Sequence, residues 1–236
     1  MTLRRWIADE VSGDHAALTG EHADHLIRVL RARVGEDFDI STGDSVRRGR
    51  ITSVRDDRVE FDLGEKIHVA PLPEITLILA IYKFDRMEWA IEKCTELGVS
   101  RIIPLISRRT DSHLASASIK RVDRWQRIAR QAAEQSRRAA PPEIPVPLKV
   151  AEVLKFPQPL RILLSESENQ TLLRDALPRE TATGIALAIG PEGGWTDDEL
   201  QSFHQAGWIS AYLGSTILRA ETSAIAATAV VISVVS

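Results

Sequence analysis

Short alternating stretches dominate the first third of the chain. Residues 37–42 alternate in part and run into Gly43-Asp44, which offers a turn. Residues 50–54 and 58–63 flank Asp56-Asp57 in the same way. Period-two patterning bounded by polar pairs predicts strands joined by turns. One stretch differs. Leu26, Val29 and Leu30 stand at i, i+3 and i+4, so they share a face of a helix predicted over residues 21–30. A small barrel with one helix fits these elements.

The pattern changes after Pro71 and Pro73, which places a domain boundary between residues 1–70 and 71–236. Beyond it lie an apolar strand over 75–81, a helix over 85–97 stopped by Gly98, and a strand over 101–106. A long helix is predicted over 118–138, ending before Pro141-Pro142. Its Arg121, Arg124, Arg127 and Arg130 recur every third residue and read as a solvated face opposite Trp125, Ile128 and Ala132. Strands over 161–164, 184–189 and 211–213 then alternate with helices over 197–206 and 220–235. Strands alternating with helices predict an α/β domain built on a parallel sheet, whose ligands bind at the carboxyl ends of the strands.

Composition narrows the class. A chain of 236 residues with 44% hydrophobic and 27% charged residues can bury a proper core. The net charge of -3 gives no global footprint of a nucleic-acid partner, so any RNA contact has to come from local basic clusters. Of the 30 basic residues 24 are Arg, the side chain that suits phosphates and base faces, although a GC-rich genome gives the same bias. Cys94 is the only cysteine, which excludes an intrachain disulfide and a cysteine-rich zinc site; it reads as core. His22 and His25 sit at i, i+3 without a third ligand nearby, so no metal site is predicted. The first residues lack the apolar stretch of a signal peptide. The apolar run 223–235 is shorter than the roughly 20 residues that span a bilayer. A cytoplasmic protein with no membrane partner is expected, and the run reads as a buried helix or a subunit contact.

Two loops carry candidate chemistry. Gly190-Pro191-Glu192-Gly193-Gly194 follows a predicted strand and precedes a helix whose start, Thr196 to Glu199, spells a capping box. Glycines there let backbone approach a ligand closely, although an ordinary turn has the same composition. Glu192, Asp197 and Asp198 would repel a phosphate at this helix start, and no G-x-G-x-x-G or Walker lysine is present. The loop therefore suits a neutral or cationic ligand. The second loop, Leu213-Gly214-Ser215-Thr216-Ile217-Leu218-Arg219-Ala220-Glu221-Thr222, also lies between a strand and a helix. Ile217 and Leu218 offer an apolar wall for a flat ring, with core packing as the plain alternative.

These two loops resemble the signature loops of the RsmE family. Met87-Glu88, Lys93, Glu96-Leu97-Gly98-Val99, Pro104, Glu134-Gln135-Ser136, Arg138 and Pro142-Glu143-Ile144 match it too. His25-Leu26 with Val29-Leu30-Arg31 is similar to its N-terminal helix. The resemblance implies a PUA-like β-barrel followed by a SPOUT methyltransferase domain with a deep C-terminal trefoil knot, working as a homodimer. It implies that S-adenosylmethionine serves as cofactor and that N3 of a uridine in 16S ribosomal RNA, free or in the small ribosomal subunit, is methylated (position 1498 in the standard numbering of that RNA).

By the same resemblance the cofactor residues are Leu164, Ser165 and Glu166, then Gly190, Pro191, Glu192, Gly193 and Gly194, then Leu213, Gly214, Ile217 and Leu218. Arg4, Arg5, His25, Arg28, Arg31, Lys83 and Arg138 are the expected RNA contacts, with Arg33, Arg47, Arg48 and Arg50 beside them. Arg219 is expected to stabilise the uridine anion, and Glu221 to orient Arg219 or accept the N3 proton. Three positions depart from the pattern. Phe84 and Arg137 replace usual glycines, and Thr216 replaces a common arginine. Two other readings compete: a non-catalytic RNA-binding or ribosome-assembly protein, and a methyltransferase of the same fold acting elsewhere on RNA.

Overall fold

The computed structural model describes residues 5–69, 73–178 and 184–235, and the chain divides into two units. The first comprises Met1–Pro71 and Ala133–Pro141, and the second Leu72–Ala132 and Pro142–Ser236.

The first unit holds β1 (Arg5–Ile7), β2 (Glu10–Ser12), β3 (His15–Thr19), α1 (Gly20–Asp24), β4 (Asp37–Ser41), β5 (Val46–Arg55) and β6 (Arg58–Ile67). Along β6, Val59, Phe61 and Leu63 are buried while Asp62 faces solvent, as the period of two requires. The six strands run in the order β1-β4-β5-β6-β3-β2, antiparallel except for the β1–β4 pair. The strands at the two ends of that order are separated in sequence only by Ala8 and Asp9. Asp9 donates its amide to Ala17, and Ala8 donates its own to Ser41, so the sheet curls until its edges meet. Leu18, Leu26, Ile40, Ile51 and Phe61 form the core.

The predicted 21–30 helix differs in its second half. After α1, residues His25–Val29 form a π-helical turn in which Leu30 donates to the His25 carbonyl at 3.1 Å. The wider turn rotates Val29 off the apolar stripe, and it is 65% exposed. The turn closes at Arg31, whose φ of 53° is left-handed.

The second unit is α/β. Its elements are β7 (Ile75–Ala80), α2 (Phe84–Leu97), β8 (Arg101–Ile106), α3 (Ser112–Ser118), α4 (Val122–Gln135, whose residues from Ala133 on are counted with the first unit), β9 (Leu148–Lys149), α5 (Val150–Val153), β10 (Leu160–Leu164), α6 (Leu173–Ala176), β11 (Ile185–Ile189), α7 (Asp197–Gln205), β12 (Ile209–Ala211) and α8 (Ala220–Val235). All strand pairs are parallel, in the order β12-β10-β11-β7-β8-β9. Every residue of β7 and β11 is buried, as expected of a parallel sheet covered on both faces. Ile75, Leu77 and Leu79 pack on one side with Met87, Ile91, Trp125, Ala224 and Val231. Ile78, Ile103 and Leu163 pack on the other with Trp195, Phe203 and Trp208. Gly98 ends α2 in the left-handed conformation (φ 108°) that glycine adopts without steric cost. Cys94 is fully buried.

The helix predicted over 118–138 runs over Val122–Gln135. The Asp111 carboxylate accepts the amides of His113 and Leu114 and so starts α3, and a 3₁₀ turn over Ile119–Arg121 separates it from α4. On α4, Trp125 and Ala132 are buried and Ile128 is half-buried. The helix ends at Gln135 in a Schellman motif. Arg137 donates to the Glu134 carbonyl and Arg138 to the Ala133 carbonyl, with Arg137 at φ 59°. Arg137 thus occupies a left-handed position, which explains why glycine is the residue expected there. The strand predicted over 211–213 lies at Ile209–Ala211 instead, because only those residues pair with β10.

Candidate active site

The loops that leave β8, β10, β11 and β12 at their carboxyl ends enclose a cavity of about 590 Å³. Leu164, Ser165 and Glu166 enter it after β10, and Gly190, Pro191, Glu192, Gly193 and Gly194 after β11. Leu213, Gly214, Ile217, Leu218 and Arg219 enter it after β12. The structure therefore brings all twelve expected cofactor residues to one place. Arg109, Ser167, Glu168, Trp195 and Tyr212 also line it.

The glycine loop is held from several sides. Trp195 donates its indole N–H to the Leu164 carbonyl at 2.8 Å. A Cβ on Gly190 would stand 3.1 Å from that indole ring, so glycine lets the ring lie against the loop. Gly194 takes a φ of 70°. Arg109 donates to the Gly193 carbonyl, and Arg86 on α2 donates to Glu192 at 2.8 Å. Beneath the loop the capping box is complete. Glu199, almost fully buried, accepts from the Thr196 amide at 2.9 Å and from the Arg108 amide at 2.8 Å. These contacts fix the shape of the loop, and a fixed loop is the preorganisation a binding site needs.

The cavity is mixed in charge. Arg109 and Arg219 are exposed cations on its wall, facing the carboxylates of Glu166, Glu168, Glu192 and Asp197. Glu168 accepts three backbone amides, from Gln170, Thr171 and Asn169, and these hold its carboxyl below the usual range. Ile217 is 80% exposed at the mouth, so it is not core.

Glu221 does not behave as expected. It is buried behind the wall, and its Oε1 lies 3.8 Å from Arg86 Nε. No ion pair links it to Arg219 among the described residues. The reason is local: Glu221 is already in the first turn of α8, where the helix turns its side chain toward α2, whereas Arg219 precedes the helix. Tyr82 is buried nearby, and desolvation pushes its phenol pKa upward, so it stays neutral.

Residues 69–232 match the family model of the RNA methyltransferase domain. Ribosomal RNA small subunit methyltransferase E of Synechocystis is 34% identical over 87% of this chain and 69% of its own length. The protein of that name from Rickettsia conorii is 32% identical over 93% of this chain and 87% of its own. The chain belongs to the ribosomal RNA small subunit methyltransferase E family. The Neisseria gonorrhoeae methyltransferase E, solved with S-adenosylmethionine bound, is 32% identical and superposes with a TM-score of 0.84, covering 96% of this chain and 95% of that one.

Within this methyltransferase the expected RNA contacts are scattered. Arg4 lies outside the described residues. Arg5, His25, Arg28, Arg31 and Arg138 belong to the first unit, and Lys83, exposed just ahead of α2, to the second. Arg5 donates to the Arg137 carbonyl and is half-buried, and desolvation lowers its pKa. Arg138 is half-buried as well, and burial brings its pKa down to about 10. The His25 ring lies 5.5 Å from that of Trp6, tilted at 59° to it, and the residue is exposed. Arg28 pairs with Asp24, while Arg31 is exposed. Arg47, Arg48 and Arg50 are each engaged by a carboxylate, of Asp14, Asp39 and Asp37. Phe84 fills space that a glycine would leave open, edge-on to Trp125 at 6.0 Å and under the Arg121 guanidinium at 4.8 Å.

Sequence reasoning missed Arg86, Arg109 and Trp195. Trp195 had a signal, an aromatic directly after the glycine loop, and Arg109 another, its place just past the end of β8. Arg86 had none, because its partner Glu192 is 106 positions away.

Proposed function

We propose that this chain transfers a methyl group from S-adenosylmethionine to N3 of a uridine in 16S ribosomal RNA, at position 1498 in the standard numbering. The observation that carries the reading is that the loops after β10, β11 and β12 line one cavity. Its residues fit this cofactor. Gly193 and Gly194 give close backbone approach, and Leu213, Ile217 and Leu218 offer a face to an adenine ring. Glu166, Glu192 and Asp197 suit a cation and disfavour a phosphate. When bound, the cofactor supplies a methyl group activated by its sulfonium.

The protein's share is orientation and charge handling. Uridine N3 must give up its proton, to water at the open side of the cavity, before it can attack. Arg219, exposed on the cavity wall without an ion-pair partner among the described residues, is assigned to stabilising the resulting anion. Glu221, buried against Arg86, is assigned to holding the start of α8 rather than to proton transfer. A base within an RNA helix has to be extruded to reach this cavity.

The curled sheet of β1–β6, with its two edges joined through Ala8 and Asp9, supports reading the first unit as a PUA-like barrel that binds RNA through Arg5, His25, Arg28, Arg31 and Arg138. Three loops converging on one cavity, with Trp195 bonded to β10, support a SPOUT domain with a trefoil knot. Half-buried Ile225, Val230, Ile232 and Val234 on α8 support a homodimer. No helix among the described residues is long and apolar enough to cross a membrane, and a ribosomal substrate points to the cytoplasm.

Two measurements test the reading. Calorimetric titration should show S-adenosylmethionine binding at micromolar concentrations. Mass spectrometry of 16S RNA from a strain lacking the gene should find unmodified uridine, and 3-methyluridine persisting there would reject the assignment.

A further inference from the structure

Arg86 joins two parts of the cavity wall without lining the cavity itself. It stands in the first turn of α2, where the positive end of the helix dipole disfavours a cation. Its placement is explained by what it holds. Its Nη1 donates to Glu192 of the glycine loop at 2.8 Å, and its Nε lies 3.8 Å from Oε1 of Glu221. Glu221 opens α8 directly after the loop that carries Arg219. One planar fork therefore bridges the loop after β11 and the loop after β12. Glu221 needs this cation. Its side chain is almost fully buried, its Oε2 has no hydrogen-bond partner, and Arg86 is the cation within 4 Å among the described residues. A buried carboxylate stripped of its counter-charge is strongly disfavoured.

We propose that Arg86 is a positioning residue that sets the spacing of the glycine loop and the start of α8, and through them the affinity for S-adenosylmethionine. The proposal rests on the cavity being the cofactor site. Arg86 orders the site before the ligand arrives, so its loss falls on cofactor binding rather than on the chemical step. The fork reaches two carboxylates at once, and a lysine, with one point charge, reaches one well.

The test compares wild type with Arg86→Met, Arg86→Lys, Glu192→Gln and the Arg86→Met/Glu192→Gln double variant. Cofactor affinity is read by calorimetry, turnover on small ribosomal subunits as separate kcat and KM, and loop order by hydrogen exchange over residues 190–195 and 220–224. Arg86→Met should weaken affinity about tenfold or more and raise KM for the cofactor, with kcat at saturation within about threefold. Arg86→Lys should recover part of that loss. The double variant should lose less than the sum of the two single losses, since both cut the Arg86–Glu192 bridge, although Glu192 also faces the cavity. Exchange in both segments should quicken in Arg86→Met. Wild-type affinity in Arg86→Met overturns the proposal, and so does full additivity in the double variant. If Arg86→Met does not fold, Arg86→Lys decides: affinity equal to wild type overturns the proposal, and a partial loss with near-normal kcat supports it. Failure of the wild-type protein to bind the cofactor rejects the cofactor site itself, a separate outcome.

Discussion

The indole N–H of Trp195 bonds to the carbonyl of Leu164 across 2.8 Å, and both residues are buried. This bond fastens the glycine loop to the end of the neighbouring strand. Trp195→Phe keeps most of the ring but leaves that carbonyl unsatisfied, which costs about 1–3 kcal/mol. Urea unfolding should show the loss, and cofactor titration should show weaker binding. Stability equal to wild type would mean that water or a shifted loop satisfies the carbonyl.

Arg219 sits on the cavity wall, exposed, just ahead of α8. An interaction made only as charge develops on the base lowers turnover and leaves ground-state binding intact. Arg219→Ala should therefore reduce kcat by about 100-fold or more while cofactor affinity stays within about threefold. Unchanged turnover on small ribosomal subunits removes Arg219 from the mechanism.

Arg137 adopts φ 59° at the end of α4, in a Schellman turn that favours glycine. A side chain there costs about 1 kcal/mol relative to glycine. Arg137→Gly should raise the melting temperature by a few degrees in a thermal scan. A lower value would show that the exposed guanidinium makes a contact worth more than the strain.

The Cys94 thiol is fully buried, and desolvation pushes its pKa up to about 12 from an ordinary 9.0. Between those values the unfolded chain has lost the proton that the folded chain keeps. The native state then binds more protons, and this group's contribution to stability falls as pH rises through that window. Folded protein at pH 8 should react with a thiol reagent only as fast as it opens. Prompt stoichiometric labelling would contradict the burial.

The β/α alternation after Pro73, the capping box at Thr196 and Glu199, the left-handed stop at Gly98 and the burial of Cys94 were all legible in the sequence, because each depends on residues close together in the chain. The two glycine-bearing loops were legible for the same reason. Less was visible where backbone geometry departs from a regular period. The π turn at His25–Val29 exposes Val29, and Asp111 starts a helix of its own ahead of α4.

The sequence by itself determined that there is a parallel sheet with two glycine-bearing loops at its carboxyl ends, and which residues those loops carry. Strand period, glycine and helix caps are local properties, so a linear reading can reach them. Only the tertiary structure decided which distant groups meet. It joined Trp195 to Leu164 and Arg109 to Gly193, and it gave Glu221 to Arg86 rather than to Arg219. Those pairings follow from the order β12-β10-β11-β7-β8-β9, which sets β7 beside β11 and so brings the chain just after β7 close to the loop after β11. Spacing along the chain carries no record of that order, because it is set by how the sheet's two faces are covered.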